Sequence, residues 1–252
     1  MKIYLPTNIF SALFSMMLPE EQKNDIEILP ASLIAQKLVD NNNSLGLMPS
    51  CDLLKFSNLK VSNKIALSFD GLLSNSYLYF MPEQNRFDRI LLRGDVSSNE
   101  VILAKILFKE RFDVDVEISL DSNELDFEES NYLIVGQEND DYVVKHNGIS
   151  FSDQIAEFIN YPYVNFVLAS ADDANILSFV SKLENLDEQI EDNIAELLEK
   201  VKLPSELGGH ILQNINNVYY EMTENEVEGL NELLKLPYFH GVVDDIITLN
   251  FV

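Results

Sequence analysis

The chain has 252 residues, 46% of them apolar, which is enough to bury the core of one large domain or of two lobes. Asp and Glu outnumber Lys and Arg by 42 to 17, and the formal net charge is −25. That charge repels phosphate backbones and anionic lipid headgroups, so nucleic acids and membrane surfaces are excluded as preferred partners.

The sequence contains a single cysteine, Cys51, so an intrachain disulfide and a thiolate metal cluster are excluded. We interpret Cys51 as a small buried packing residue. The N-terminal segment lacks the apolar core of a secretory signal, and no apolar run reaches the roughly 18 residues of a membrane span. We therefore expect a cytoplasmic protein.

Strand and helix patterns alternate through the first part of the chain. Short apolar runs predict strands, and apolar residues spaced three or four apart predict helices. In order, the predicted elements are strand 2–5, helix 9–18, strand 26–29, helix 32–39, strand 45–48, short helix 51–56 and strands 64–69 and 76–80. Such alternation predicts parallel sheets flanked by helices.

The same scheme repeats before the pattern becomes helical. The predicted elements are strand 89–92, helix 98–112, strands 114–118 and 132–135, helix 152–159, strand 163–169, and helices 174–183, 186–201, 206–216 and 223–234. Thr223 and Glu226 have the spacing of a capping box, which predicts a helix start at that point.

This order of elements predicts an α/β fold of two lobes with C-terminal helices, as in the type II periplasmic binding proteins, which close on a ligand like a venus flytrap. The first lobe comprises residues 1–74 and 170–252, and the second comprises residues 75–169. Open α/β sheets bind ligands outside the carboxyl ends of their strands. We expect a ligand cleft between the lobes.

Polar residues follow three predicted strands where each gives way to a helix. Thr7 and Asn8 follow the first strand, Ser50 follows strand 45–48, and Ser97 and Ser98 follow strand 89–92. Helix N-termini carry unpaired N–H groups and partial positive charge, so several of them around one cleft suit a small anion. The same residues can also be simple N-caps, which stabilise a helix by about 1 kcal/mol each without binding a ligand.

Four segments, together with the closing residues 214–241, resemble a known family. They are residues 2–18 with Asn8 in the first turn, 45–54 with Pro49-Ser50-Cys51, 71–80, and 95–112 with Asp95-Val96-Ser97-Ser98. In this order they resemble the chorismate dehydratases of the futalosine route to menaquinone, cytoplasmic lyases with a periplasmic-binding-protein-like fold. The resemblance implies elimination of water from chorismate to give 3-[(1-carboxyvinyl)oxy]benzoate.

The resemblance also implies the roles of particular residues. Asn8 and Ser76 are the expected catalytic residues, which position the reacting hydroxyl and a substrate carboxylate. The expected substrate-binding residues are Thr7, Ser50, Asn75, Ser97 and Ser98. No cofactor and no metal are expected, and the protein is expected to be a monomer or a homodimer whose partner is a small carboxylate.

The chain departs from the family pattern at two charged positions. Asn99 stands where the family usually has Arg, and Gln137 stands where it usually has Asp. The sequence shows no obvious strong base, so a substrate carboxylate or a modestly basic side chain would have to accept the proton. Two alternatives therefore stay open: a non-catalytic solute-binding protein for a small carboxylate, and a degenerate homologue with a structural or interaction role.

Overall fold

The computed structural model describes residues 1–83 and 87–252. The strands are β1 Lys2–Pro6, β2 Ile26–Leu29, β3 Ser44–Pro49, β4 Lys60–Phe69, β5 Ser76–Tyr79, β6 Arg89–Gly94, β7 Glu117–Leu120, β8 Tyr132–Val135, β9 Ile149–Ser150, β10 Tyr163–Ser170, β11 Val218–Glu221 and β12 Asn250–Phe251.

The α-helices are α1 Ile9–Met17, α2 Glu20–Lys23, α3 Ala31–Asp40, α4 Ser98–Phe112, α5 Phe151–Ile159, α6 Asp173–Val180, α7 Leu186–Lys200, α8 Ser205–Asn214 and α9 Glu224–Phe239. Short 3₁₀ helices cover Ser50–Leu54, Gly136–Asp141 and Ile215–Asn217. Within the described residues, no helix has both the length and the apolar character needed to cross a bilayer.

The first lobe is built on a sheet with the strand order β11-β4-β10-β3-β1-β2, and β12 adds to β4. Helices α1, α6 and α7 pack on one face of this sheet, and α3 and α9 pack on the other. Every residue of β3 is buried, as expected for a strand covered by helices on both faces.

The second lobe is built on a sheet with the strand order β7-β6-β8-β5-β9. One face packs against α4 and α5 through Leu92 and Leu133. The opposite face carries Tyr77, Tyr79 and Ile134, which join the same apolar cluster as α1 and α7 of the first lobe. Apolar packing is therefore continuous from one lobe to the other.

The prediction of a two-lobed α/β fold is confirmed, but both sheets are mixed rather than parallel. β10 runs antiparallel to β3 and β4, and β5 runs antiparallel to β8. The cause lies in the path of the chain, which leaves the first sheet after β4 and returns to it from the second lobe after α5. β10 belongs to the first sheet, so the chain re-enters that sheet at residue 163, before the predicted lobe boundary at 169/170.

Local differences from the predicted elements have local causes. The strand predicted at 114–118 is β7, Glu117–Leu120, because Asp113 ends α4 in the left-handed conformation with φ of 53° and three more residues precede the strand. β11 was not predicted, because its four residues are held by pairing with the distant β4. The predicted capping box at Thr223 is confirmed: its N–H and hydroxyl both donate to Glu226 Oε2, at 2.7 and 2.5 Å.

Candidate ligand-binding cleft

Two neighbouring cavities lie where the lobes meet, beyond the carboxyl ends of β1 and β8. They hold about 360 and about 810 Å³ of space not filled by protein atoms, part of it open to solvent. Asn8, Ile9 and Asp140 line both cavities. The smaller is also lined by Phe10, Leu73, Ser74, Asn75, Tyr77, Gly136, Asn139, Val143, Leu207 and Ile211, and the larger by Pro6, Thr7, Ala12, Ser15, Ile28, Gln137, Val201, Lys202 and Leu203.

Asn8 begins α1 and faces both cavities. Its backbone is extended, with φ of −152°, and its Oδ1 accepts a hydrogen bond from the Ser11 N–H at 2.8 Å. The capping role fixes the amide, because only its oxygen can accept that bond. Asn8 Nδ2 is buried and has no hydrogen-bond partner among the described residues. One side chain thus caps the helix and also offers a free donor to a ligand.

Asn75 reaches the smaller cavity from the segment that links the two lobes. Its carbonyl accepts from the Gly136 N–H at 2.7 Å, and Ser74 hydrogen-bonds Ser152 at 2.6 Å, so both sides of the segment are held. The Asn75 Oδ1 atom is buried without a partner in the described part of the chain. The residues that carry this unpaired acceptor and the unpaired Asn8 donor therefore line the same cavity.

Asp140 is contributed by the 3₁₀ helix that follows β8. Neighbouring residues hold this helix in place: Asn139 Nδ2 donates to the Ile134 carbonyl at 2.6 Å, and the Tyr79 hydroxyl donates to Asn139 Oδ1 at 3.0 Å. Burial raises the pKa of Asp140 to about 6, and the neighbouring Asp141 adds to the rise. A half-buried carboxylate with a raised pKa is a typical proton-transfer group.

Neither Asp140 nor Lys202, which lines the larger cavity, is among the residues predicted from the sequence. A signal for Asp140 was present in the polar run Gln137-Glu138-Asn139-Asp140-Asp141, which directly follows a buried strand at the ligand-binding end of the sheet. Lys202 has no ion-pair partner among the described residues, so its ammonium group can meet an anionic ligand.

None of the four predicted serines, Ser50, Ser76, Ser97 and Ser98, is part of the lining of these two cavities. The Ser50 hydroxyl donates to the Val164 carbonyl at 2.6 Å, and Ser97 caps α4 with its hydroxyl on Glu100 Oε2 at 2.7 Å. The Ser98 hydroxyl is buried and has no hydrogen-bond partner among the described residues, but Ser98 does not line either cavity. The observed bonds of Ser50 and Ser97 are contacts within the protein, whereas Thr7, Asn8 and Asn75 line the cleft.

Ser76 is fully buried but lies on the other face of β5. Tyr77 lines the smaller cavity, and successive side chains of a strand point to opposite faces, so Ser76 shares the face of Leu78. Leu78 packs with α4 and α5. The Ser76 hydroxyl has no partner among the described residues, yet its neighbour Asn75 is the residue that reaches the cavity.

Asn99, at the position where the resembled family has Arg, fastens α4 to the first lobe. Its Oδ1 accepts from the Cys51 N–H at 2.8 Å, and its Nδ2 donates to the Asn165 carbonyl at 2.7 Å. Cys51 itself is buried, and burial raises the pKa of its thiol well above the usual value. Asn99 is fully buried by these contacts, so its amide is not available to a ligand.

Asp95 joins the lobes across the mouth of the cleft. Its two carboxylate oxygens accept from the Ala31 N–H at the start of α3, at 2.9 and 3.1 Å. Gly136, with φ of +70°, allows close approach here, since a Cβ atom would lie 3.1 Å from the Thr7 carbonyl oxygen. The lobes are thus in direct contact around the cavities.

No family model and no curated protein matches the sequence. Solved structures do match the fold. Protein AF1704 from Archaeoglobus fulgidus is 15% identical, with a TM-score of 0.70 over 96% of this chain and 98% of its own. The alkanesulfonate-binding protein SsuA from Xanthomonas axonopodis pv. citri bound to MOPS is 13% identical, with a TM-score of 0.64 over 100% and 97% of the two chains.

A third matching structure is described by its fold. The Candida albicans CA3427 gene product, described as having the generic periplasmic binding protein fold, is 11% identical, with a TM-score of 0.56 over 97% of this chain and 90% of its own. At these identities the likeness is one of fold. This chain has the two-lobed fold of periplasmic binding proteins.

Proposed function

We propose that this protein is a chorismate dehydratase, a cofactor-independent cytoplasmic lyase of the futalosine route to menaquinone. The observation that carries the proposal is that Asn8, whose Nδ2 is unpaired, and Asn75, whose Oδ1 is unpaired, line the same cavity. A hydroxyl group complements this pair, because it can accept from the first and donate to the second. The group that leaves chorismate is a ring hydroxyl.

The remaining lining supports a ligand with negative charge and an apolar ring. Lys202 supplies an ammonium group, Thr7 supplies a hydroxyl, and Ile9 and Phe10 supply apolar walls. The product of the dehydration is aromatic, so the elimination is strongly downhill. The work left to the protein is to orient the leaving hydroxyl, exclude water and move one proton.

Incubation of the purified protein with chorismate tests the proposal. We expect loss of the cyclohexadiene absorbance and a product lighter by one water in the mass spectrum. A folded protein that produces neither change would refute the dehydratase proposal.

The role of Asn8 is tested by exchanging it among three residues that all cap helices well. Asn, Ser and Asp rank within a few tenths of a kcal/mol at N-caps, so Asn8→Ser and Asn8→Asp should unfold at nearly the temperature of the unaltered protein. Ser loses the free donor, and Asp replaces it with negative charge. We expect kcat/KM to fall in the order Asn, Ser, Asp, by about 100-fold or more for Asn8→Asp. Equal kcat/KM in all three proteins would leave Asn8 with a capping role only.

A second candidate is a non-catalytic solute-binding protein for a small carboxylate. The side chains of Ser50, Ser97 and Asn99 form hydrogen bonds within the protein, so fewer donors are available to the two carboxylates of chorismate. This favours the second candidate over a dehydratase. The matched SsuA protein, whose structure contains MOPS, supports the same alternative. Thermal stabilisation by chorismate or another carboxylate without a dehydrated product is the outcome that this candidate predicts.

A further inference from the structure

We infer, on the basis of the proposed function, that Tyr77 is a positioning residue whose hydroxyl group holds the chain between the two lobes and thereby places Asn75 at the smaller cavity. Residues 70–75 connect β4 of the first lobe to β5 of the second, and we call them the connector. Asn75 lines the cavity, and its Oδ1 is buried without a hydrogen-bond partner among the described residues. The position of this side chain depends on what holds the connector.

The Tyr77 hydroxyl is bonded to the connector backbone at two points. It accepts a hydrogen bond from the Ser74 N–H at 3.0 Å and donates one to the Leu72 carbonyl at 3.3 Å. Burial raises the pKa of Tyr77 well above its usual value, so the hydroxyl stays protonated at neutral pH and keeps its donor. The two bonded backbone groups lie one and three residues before Asn75, so they fix the chain that leads into it.

The Ser74 hydroxyl is a second hold on the connector. It accepts from the Ser76 and Ser152 N–H groups, each at 3.1 Å, and these bonds use both of its lone pairs. In the 2.6 Å contact between the two serine hydroxyls, Ser74 is therefore the donor and Ser152 the acceptor. All the bonding capacity of the Ser74 side chain is used within the fold, whereas the Asn75 amide oxygen is free for a ligand.

Further bonds attach the connector to the second lobe. The Gly71 carbonyl accepts from the Ser150 hydroxyl at 3.0 Å, and the Asn75 carbonyl accepts from the Gly136 N–H at 2.7 Å. Asn75 is thus held by the second lobe, while Asn8 begins α1 of the first lobe. A ligand hydroxyl that bonds to both side chains needs each of them in an accurate position, because small displacements of binding groups cost large factors in rate.

Tyr77 lines the smaller cavity too, but its hydroxyl is already engaged by the connector. This hydroxyl therefore acts on a ligand through Asn75 rather than by contact. Tyr77→Phe removes the hydroxyl and keeps the ring, so it separates the hold on the connector from the apolar wall of the cavity.

The test compares Tyr77→Phe with Tyr132→Phe as a matched control. Tyr132 is equally buried, lies on the neighbouring strand β8, and its hydroxyl also accepts a backbone N–H, that of Asp126, at 3.1 Å. It lines neither cavity. We expect Tyr77→Phe to lower kcat for chorismate by about 10- to 100-fold. Tyr132→Phe should keep kcat within about threefold, although both variants lose one buried hydrogen bond and should unfold at similar temperatures.

A double-variant cycle separates positioning from a general loss of structure. If Tyr77 acts through Asn75, its hydroxyl has nothing to position once the Asn75 amide is removed. The double variant Asn75→Ala/Tyr77→Phe should then have a kcat within about threefold of that of Asn75→Ala. Losses that multiply would mean that the two residues act independently, and full activity in Asn75→Ala would mean that Asn75 needs no positioning. Either result would refute the role of Tyr77 while the dehydratase function stands.

Hydrogen exchange measured by NMR tests the hold on the connector without a ligand. Exchange at the Ser74 N–H should accelerate by about tenfold or more in Tyr77→Phe and stay unchanged in Tyr132→Phe. Unchanged exchange at Ser74 in Tyr77→Phe would refute the role of Tyr77, whatever the protein binds.

Failure of the proposed function gives a different pattern. If the unaltered protein binds chorismate without forming product, the dehydratase proposal falls, and the same cycle is measured with dissociation constants. Losses of affinity that do not multiply would then support the positioning role, and losses that multiply would refute it. If the unaltered protein neither binds nor converts chorismate, both proposals fall together.

Discussion

At the scale of single residues, eight side chains in the described part of the chain carry a buried polar atom without a hydrogen-bond partner. They are Asn8, Ser11, Gln22, Asn75, Ser76, Ser98, Glu100 and Asn165. Leaving a buried donor or acceptor unpaired costs about 1–3 kcal/mol. Asn8 and Asn75 share a cavity, so a bound hydroxyl group could remove both penalties at once. Ligand binding is the simplest reason for a chain to retain them.

Glu100 allows a prediction about stability and pH. The pKa of this fully buried carboxyl group is raised from 4.5 to about 7, first by burial, and the hydrogen bonds from Ser97 oppose the rise. The folded state therefore binds the proton more tightly than the unfolded state does. The resulting stabilisation is complete below about pH 4.5 and is lost as the pH rises through about 7.

Glu100→Gln, which cannot titrate, should remove this contribution. Relative to the variant, the free energy of unfolding of the unaltered protein should fall by up to about 3 kcal/mol between pH 4.5 and 8, as measured by chemical denaturation. Glu226→Gln is the control for exchanging a capping carboxylate for an amide, because Glu226 accepts the same two bonds from Thr223. Parallel stability curves for the unaltered protein and Glu100→Gln would show that Glu100 titrates normally.

The two most informative cleft residues differ in how far the sequence could predict them. Asn8 was predictable, because capping and turn chemistry depend on a few neighbouring residues. Asp140 was not, because the residues that line the same cavities, among them Lys202, Leu207 and Ile211, are far away in sequence. A run of polar residues after a strand marks the place, but only the fold determines which of its carboxylates becomes buried.

At the scale of elements, the structure separates local from non-local determinants in the same way. Helices α4 and α9 were predictable because each begins with a capping box, whose residues lie within one turn. The direction of β10 was not, because it depends on where the chain re-enters the first sheet. Asn99 shows the same limit. From the sequence it could only be described as a neutral residue where the resembled family has Arg. In the structure its amide hydrogen-bonds α4 to β10 and to the Ser50–Leu54 helix.

Gly46 tests how tightly β1 and β3 are packed. A Cβ atom at this position would lie 2.5 Å from the Tyr4 carbonyl oxygen, and both strands are buried in the sheet. We expect Gly46→Ala to lower the free energy of unfolding by about 1–3 kcal/mol or more. The matched control is Gly209→Ala in α8, where a Cβ atom meets nothing within 4 Å and helix propensity improves by up to about 1 kcal/mol. Denaturation curves that move in the same direction for both variants would contradict this account.

At the scale of the whole molecule, the net charge of −25 opposes the approach of an anionic ligand. A site for a dianion must therefore rely on short-range donors in a place shielded from the general field. The cleft meets this requirement, because its walls come from both lobes and Lys202 adds a local positive charge. Asp95 contributes to the enclosure by fastening the second lobe to the start of α3.

The hydrogen bonds between Asp95 and the Ala31 N–H allow a prediction about how firmly the two lobes are held together. Asp95→Ala removes the acceptor of the Ala31 N–H group, so amide hydrogen exchange at Ala31 should accelerate by about tenfold or more in the absence of ligand. Asp172→Ala is the control, because Asp172 caps the exposed start of α6 through the Ala174 N–H at 3.0 Å, within one lobe. It should accelerate exchange at α6 only. Unchanged exchange at Ala31 in Asp95→Ala would mean that the continuous apolar core, rather than this carboxylate, holds the lobes together.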